Sequence, residues 1–404
     1  MIVENKIKSF LLKNRYVLLM LFASFIALWM RHSVLSYASA DYLTYLHPWF
    51  SKIKALGGVT ALSKQVGDYN ILYQFLIGIF TYFPIKDIYL YKALSIAFDF
   101  LLALSTGWLT VILMNDRKNS LKIFSLVYTV VLFLPTVSFN SAVWAQCDSI
   151  YTTFLILSLA FLLKERYIPS FIMLGLAFAF KLQAVFVLPF FVLVWLVKKR
   201  VYVWHFLVTI FVFWLSGVPG FIFGRSLLAP FEIYMKQTGS YKALYMGYHN
   251  FSGLFLLGSN SPQAYLMFKK WFIMLTLMVL VFGFVVFLKW MPIDSFGLIQ
   301  IAAWTIYTCV MFLPSIHDRY AYCLDILMVV LVVVKRKYVY VAISEILSSF
   351  LTYIPFIFFR GNSEYGLFFS LISLVIYVVF TVMMINELQQ EKTATKKSAD
   401  LVKN

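Results

Sequence analysis

Charge is scarce in this sequence: Asp, Glu, Lys and Arg make up 13% of its 404 residues, about half the share found in ordinary soluble domains. So few charges cannot clothe a water-facing surface. Cysteine is nearly absent, and Cys147, Cys309 and Cys323 are odd in number and scattered, which excludes a disulfide framework and a metal-ligand cluster. Acidic residues number 17 against 34 basic ones, giving a net charge of +17. In so apolar a chain that excess reads as topology signal and attraction to anionic membrane lipids, not as a nucleic-acid surface. Several motifs are missing as well. There is no GxxxxGK[ST] loop, no GxGxxG after a strand, no HExxH and no GxSxG elbow, so an ATP-driven pump, a dinucleotide enzyme and the common hydrolases are excluded, and no cofactor is expected. No internal repeat and no low-complexity tract is visible.

What is present is hydrophobicity, 62% of residues. A hydrocarbon core about 30 Å thick takes roughly 20 residues per helical crossing, so the chain reads as an all-α polytopic membrane protein. Basic clusters placed inside the cell give twelve crossings near 16–37, 88–114, 121–137, 149–163, 168–181, 183–197, 201–223, 266–288, 297–314, 321–334, 338–359 and 365–385. The short inside segments then hold 20 of the 34 Lys and Arg residues, with both termini cytoplasmic. Residues 1–15 are a cytoplasmic N-terminus, 16–386 a single membrane domain and 387–404 a polar, lysine-rich tail expected to be disordered. Ala38-Ser39-Ala40 has the form of a signal-cleavage site but lies well beyond the apolar run that ends at Met30, so residues 16–37 read as a retained helix.

The run 70–84 is too short to cross, and counting it would turn the basic loop 115–122 outward. It reads as a re-entrant or interfacial helix closed by Pro84. The spans 168–181 and 183–197 are also short, which sinks Lys181-Leu182-Gln183 below the outer surface. Two outside segments are long, 38–87 including the re-entrant run, and 224–265. Chemistry is therefore expected on the outer face.

Candidate side chains follow from those loops. Asp41, in ASADYLTYLHPWF, either caps a helix at the interface or serves as a general base beside Tyr42 and His47. Asp68 reads as the N-cap of the re-entrant helix, with a sugar contact as the alternative. Asp148 in WAQCDSIY, next to Gln146, either caps the helix that follows or faces the same cavity as Asp41. Pro314-Ser315-Ile316-His317-Asp318-Arg319-Tyr320 is either an exposed hairpin or an anion site, where Arg319 presents a planar fork to phosphate and His317 adds a donor. Lys181 needs a partner at its depth, and a lipid phosphate would serve. Tyr248-His249-Asn250 offers aromatic and amide groups suited to sugar. Asp99, Asp325 and Glu345 fall inside spans, as packing contacts or as proton-relay elements.

In order and placement these passages resemble the GT-C superfamily of membrane glycosyltransferases, especially bacterial relatives of the GPI-anchor and protein mannosyltransferases. The likeness rests on Asp41 after the first helix, on WAQCDSIY with the short-helix pair containing AFAFKLQAVFVLP, on YHNFSGLF, and on LPSIHDRYAY, over about residues 10–334. It implies a GT-C-like bundle of about twelve helices in a bacterial plasma membrane, and a polyprenyl-phosphate-linked sugar donor. It also implies transfer with inversion to a glycan, lipid or protein acceptor, with other envelope-glycan assembly proteins as partners. Asp41 is then the base, Asp148 its support, and Lys181, His317 and Arg319 the donor-phosphate ligands. Tyr42, His47, Asp68, Gln146, Gln183, His249, Asn250, Asp318 and Tyr320 contact sugar or acceptor, and no metal is expected. A multi-span transporter or flippase, and a polysaccharide polymerase or ligase, are the competing readings.

Overall fold

The computed structural model describes residues 2–255, 261–291, 293–358 and 366–403. In chain order the helices are α1 (Ile2–Ser33), α2 (His47–Ala55), α3 (Ile71–Phe80), α4 (Asp87–Met114), α5 (Ser120–Phe133), α6 (Pro135–Ser138), α7 (Asp148–Leu163), α8 (Tyr167–Phe180), α9 (Leu188–Val197), α10 (Val203–Leu215), α11 (Val218–Ile222), α12 (Ala229–Gln237), α13 (Pro262–Leu288), α14 (Ser295–Phe312), α15 (Tyr322–Val334), α16 (Val339–Phe358) and α17 (Gly366–Lys403). Two short strands, β1 (Tyr245–Met246) and β2 (Ile316–His317), complete it. The chain forms two units, Met1–Lys181 with Val208–Pro230, and Leu182–Leu207 with Phe231–Asn404.

All twelve spans read from the sequence fall on helices, and the fold is that of an all-α, multi-pass membrane protein. By length and apolar character, six helices among the described residues can cross a membrane, α1, α4, α13, α14, α16 and α17 with small adjustments at their ends. A seventh crossing is counted if α5 and the segment Pro135–Val143 form one span bent by 54°. Twelve requires five shorter helical segments to cross as well, Asp148–Leu163, Tyr167–Phe180, Leu182–Val197, Val203–Leu215 and Tyr322–Val334. Within the run 70–84, read as a helix closed by Pro84, the short helix α3 covers Ile71–Phe80 and ends before Thr81. Its N-cap is Asn70, whose side chain accepts the Ile71 N–H at 2.8 Å; Asp68 is exposed and does not cap it. The tail, expected to lack structure, continues α17 to Lys403.

In the first unit α4 is the organising helix, packed against α5 and α7, while α7 packs on α8 and α1 on α5. The buried charges Arg31 and Asp99 inside it are paired, as a lipid environment demands. Arg31 at the end of α1 donates to Asp99 of α4 at 3.0 Å and to the Leu132 carbonyl at 2.9 Å, the last turn of α5 before Pro135 breaks it. Asp99 also accepts from Ser141 at 2.5 Å. Asp99 thus ties α4 to the end of α1 and to Ser141. Outward, α1 exposes Phe22, Phe25 and Trp29, a lipid-facing surface.

Arg225 fastens the loop before α3. Its guanidinium donates to the Leu62 carbonyl at 2.5 Å, to Gln65 and Gln74 at 2.7 Å each, and to the Lys64 carbonyl. Burial lowers its pKa to about 10, which still leaves it charged at neutral pH.

In the second unit α14 is the core, buried from Phe296 to Phe312 and packed on α9, α13, α15 and α17. Ser349 of α16 donates to Asp325 of α15 at 3.1 Å, and the buried Glu345 stands beside the same carboxyl group, so these two acids join α15 to α16.

Candidate functional site

The segment after α1 turns at Ser39. Its hydroxyl accepts the Tyr42 N–H at 3.2 Å and donates to the Trp144 carbonyl at 3.0 Å. Ser39 therefore does the capping, and Asp41, with no capping bond, is released from that duty. The half-buried Asp41 carboxylate instead meets the turn before α7. Its Oδ2 accepts the Trp144 indole N–H at 2.9 Å and the Gln146 amide at 3.2 Å. Two donors on one oxygen fix the plane of the carboxylate.

The turn that supplies those donors is strained and braced. Ala145 has φ +63°, a left-handed conformation that costs a residue with a side chain about 1–3 kcal/mol unless its surroundings enforce it. Asn140 provides the enforcement. Its carbonyl accepts the Gln146 N–H at 2.8 Å, its side-chain oxygen accepts the Asp148 N–H at 3.3 Å, and its amide donates to Asp148 Oδ2 at 2.8 Å. On the other carboxylate oxygen Lys181 Nζ donates at 2.6 Å. Asp148 is wholly buried and Lys181 is 5% exposed. Lys181 sits where α8 ends, in extended backbone before the 3-10 turn Leu182–Val187, so the break expected there is present. Where a lipid phosphate was expected against Lys181, Asp148 stands instead. Tyr69 closes the group, its hydroxyl donating to Gln146 Oε1 at 3.2 Å and its ring lying 5.9 Å from Lys181 Nζ. Asp68, one residue earlier, is exposed, and burial of part of its surroundings raises its pKa.

Tyr42 and His47 belong to a second group. Both face Asp87, the first residue of α4. Tyr42 donates to Asp87 Oδ1 at 2.9 Å, and His47 Nδ1 lies 2.9 Å from Oδ2. Burial first, then the adjacent Asp87 carboxylate, raises the Tyr42 pKa far above the usual phenol value and keeps it a donor.

In the second unit the turn 314–320 is held by β2, which pairs in parallel with β1. Gly247, just past β1, bridges to His317 at φ +104°; a Cβ there would meet Phe356 at 2.6 Å, so only glycine allows this approach. His317 packs against Tyr241 and Tyr320, with Nδ1 3.9 Å from Asp318. Asp318 is buried and its carbonyl accepts from Thr352 at 2.5 Å. Arg319 and Tyr320 are partly exposed at the end of this turn. Gln183 and Tyr320 line one cavity of about 230 Å³, otherwise mostly apolar, with Lys269 on its wall.

His249 and Asn250 do not join them. His249 is 2% exposed, bonded to the Tyr245 hydroxyl at 3.0 Å and stacked on Phe369; burial lowers its pKa to about 4. Asn250 donates to the Val310 and Leu313 carbonyls at 3.2 Å each and accepts from Ser252. Both were expected to contact sugar; in the structure Asn250 fastens the loop to the end of α14, and His249 is packed between Tyr245 and Phe369.

The geometry therefore offers an oriented carboxylate in one unit, and a turn carrying His317, Asp318 and Arg319 beside a mostly apolar cavity in the other. The model of glycosyltransferase family 87 matches residues 69–317, more than half of the chain. The chain belongs to glycosyltransferase family 87. It is an enzyme, a membrane glycosyltransferase of the GT-C type. No curated protein and no solved structure matches it. Within the matched range of this family 87 enzyme lie Gln146, Asp148, Lys181, Gln183 and His317; Asp41 and Arg319 fall outside it. The residues missed from sequence are Trp144, Asn140 and Asp87. Trp144 stands in a passage already singled out, WAQCDSIY, where an indole beside an amide was the available signal.

Proposed function

We propose that this enzyme transfers a sugar from a polyprenyl-phosphate-linked donor to a hydroxyl of a cell-surface glycan, lipid or protein on the outer face of the membrane, inverting the anomeric centre. The observation that carries the reading is the Asp41 carboxylate, held on one oxygen by Trp144 and Gln146. In the reaction the acceptor oxygen forms a bond to the anomeric carbon as the bond from that carbon to the phosphate oxygen breaks. The acceptor proton passes to Asp41, and the electron pair of the broken bond leaves with the polyprenyl phosphate. Charge growing on that phosphate is met by Arg319, whose planar fork matches two phosphate oxygens, and by His317. The mostly apolar cavity beside Tyr320 and Gln183 suits the start of a hydrocarbon chain. Lys181, taken up by Asp148, is assigned to holding the turn that orients Asp41 rather than to the phosphate.

Twelve crossings with both termini inside, and the loops 38–87 and 224–265 outside, complete the proposal. An enzyme working outside has no cytoplasmic nucleotide sugars, which makes a membrane-borne donor the natural supply. The test is to incubate the purified protein with a panel of radiolabelled polyprenyl-phosphate sugars and membrane acceptors. Label is expected to move to an acceptor from one lipid-linked sugar and not from a nucleotide sugar. Transfer from the nucleotide sugar alone would remove the lipid donor.

A further inference from the structure

Within the first unit an unbroken line of hydrogen bonds runs from Arg225 to Asp41. A guanidinium has donors only, so the Gln65 side chain meets Arg225 Nη1, at 2.7 Å, with its oxygen. That turns the Gln65 NH2 the other way, where it donates to the Gly67 and Tyr69 carbonyls at 2.8 Å each. These two bonds set the backbone from which the Tyr69 ring projects, against Trp49 on one side and Tyr73 on the other. Gly67 makes the turn at φ +75°, so close to Trp49 that a Cβ would lie 2.5 Å from its ring. The Tyr69 hydroxyl then donates to Gln146 Oε1 at 3.2 Å. With its oxygen taken, Gln146 gives its NH2 to Asp41 Oδ2 at 3.2 Å. Turned over, the same amide would set its oxygen against the carboxylate and its NH2 against the Tyr69 hydroxyl proton, so the facing of each amide follows from the donor before it. Fastening the loop does not need Gln65. Arg225 already donates to the Leu62 and Lys64 carbonyls and to Gln74, which is 2% exposed.

We propose that Arg225 is a positioning residue for the transfer reaction: through Gln65 and Tyr69 it sets the facing of the Gln146 amide and, with it, the plane of the Asp41 carboxylate. The inference rests on the reading of Asp41 as the base and adds a residue that keeps it aimed. Trp144 still holds the same oxygen when the line is cut, so the loss is smaller than that of the base itself.

The test uses the full-length enzyme in nanodiscs and cuts the line at two places. Gln65→Glu keeps an oxygen for Arg225, now as an ion pair, but has no N–H for the Gly67 and Tyr69 carbonyls. The loop stays fastened and the line breaks. Tyr69→Phe breaks it one link later and keeps the ring contacts. Each variant is expected to lower kcat about tenfold, the scale of a slightly misaimed group, with the KM for donor and acceptor and the unfolding temperature at wild-type values. The double variant should lose no more than the worse single one, because both cut the same line. Arg225→Lys, which keeps the charge and loses the fork, should show the same kcat loss together with a lower unfolding temperature. Wild-type kcat in Gln65→Glu, or additive losses in the double variant, overturns the proposal and leaves Arg225 a loop fastener. A second arm follows carbodiimide modification of Asp41 by peptide mass spectrometry. Loss of the Gln146 donor is expected to speed it about threefold in Gln65→Glu and in Tyr69→Phe, the scale of one weak hydrogen bond. An unchanged rate in both also overturns the proposal. A wild-type enzyme that moves no lipid-linked sugar defeats the transfer reading, and the labelling arm still decides whether Arg225 orients Asp41.

Discussion

Asp41→Asn lowers turnover at least about a hundredfold, the lower end of what a positioned general base contributes, and leaves donor binding near the wild-type level. The substitution is conservative in shape. An Asn side chain keeps an oxygen for the Trp144 and Gln146 donors, so the turn before α7 has no reason to rearrange. It removes the capacity to take a proton and little else. Steady-state transfer measured beside donor binding separates the two effects, and turnover at the wild-type rate in the purified variant would end the role of Asp41 as base.

The second large effect concerns stability. Lys181→Met leaves the buried Asp148 carboxylate without its cation, and removing one member of such a pair costs about 3–5 kcal/mol. Asp148→Asn together with Lys181→Met removes both charges and is expected to restore most of that loss, because a buried ion pair replaced as a whole is often close to neutral. Thermal unfolding of the single and double variants in detergent reads the contrast directly. The double variant also decides what Lys181 serves. Donor affinity near the wild-type value in a stable double variant assigns it to the turn that orients Asp41, whereas a large loss of donor affinity returns it to the phosphate.

The parts of this molecule legible in the sequence are those that depend on near neighbours along the chain. Each apolar run became a helix, and the broken one at Lys181 announced itself because an ammonium interrupts an otherwise lipid-compatible run. The ten-residue α3 was recognisable from its length. Pairings were not legible. Nothing local says that Lys181 meets Asp148, 33 positions away, or that Asp87 reaches back 40 positions to His47. Asp68 reads as a cap that Asn70, two positions on, in fact supplies, and of the two roles left open for Asp41 the capping one belongs to Ser39. Residue type misled in the loop after β1. His249 and Asn250 look like sugar ligands, yet the Asn250 amide is taken up by Ser252 and by the carbonyls at the end of α14, and His249 is buried with Nδ1 on the Tyr245 hydroxyl.

The central claim, a single displacement with Asp41 taking the acceptor proton, is tested most directly by the anomeric configuration of the product. The donor is synthesised with carbon-13 at the anomeric position, transferred by the purified enzyme, and the one-bond carbon–hydrogen coupling of the product compared with that of the donor. The account predicts the opposite configuration in the product. A product with the donor's own configuration would contradict it and require a different course of reaction at this site.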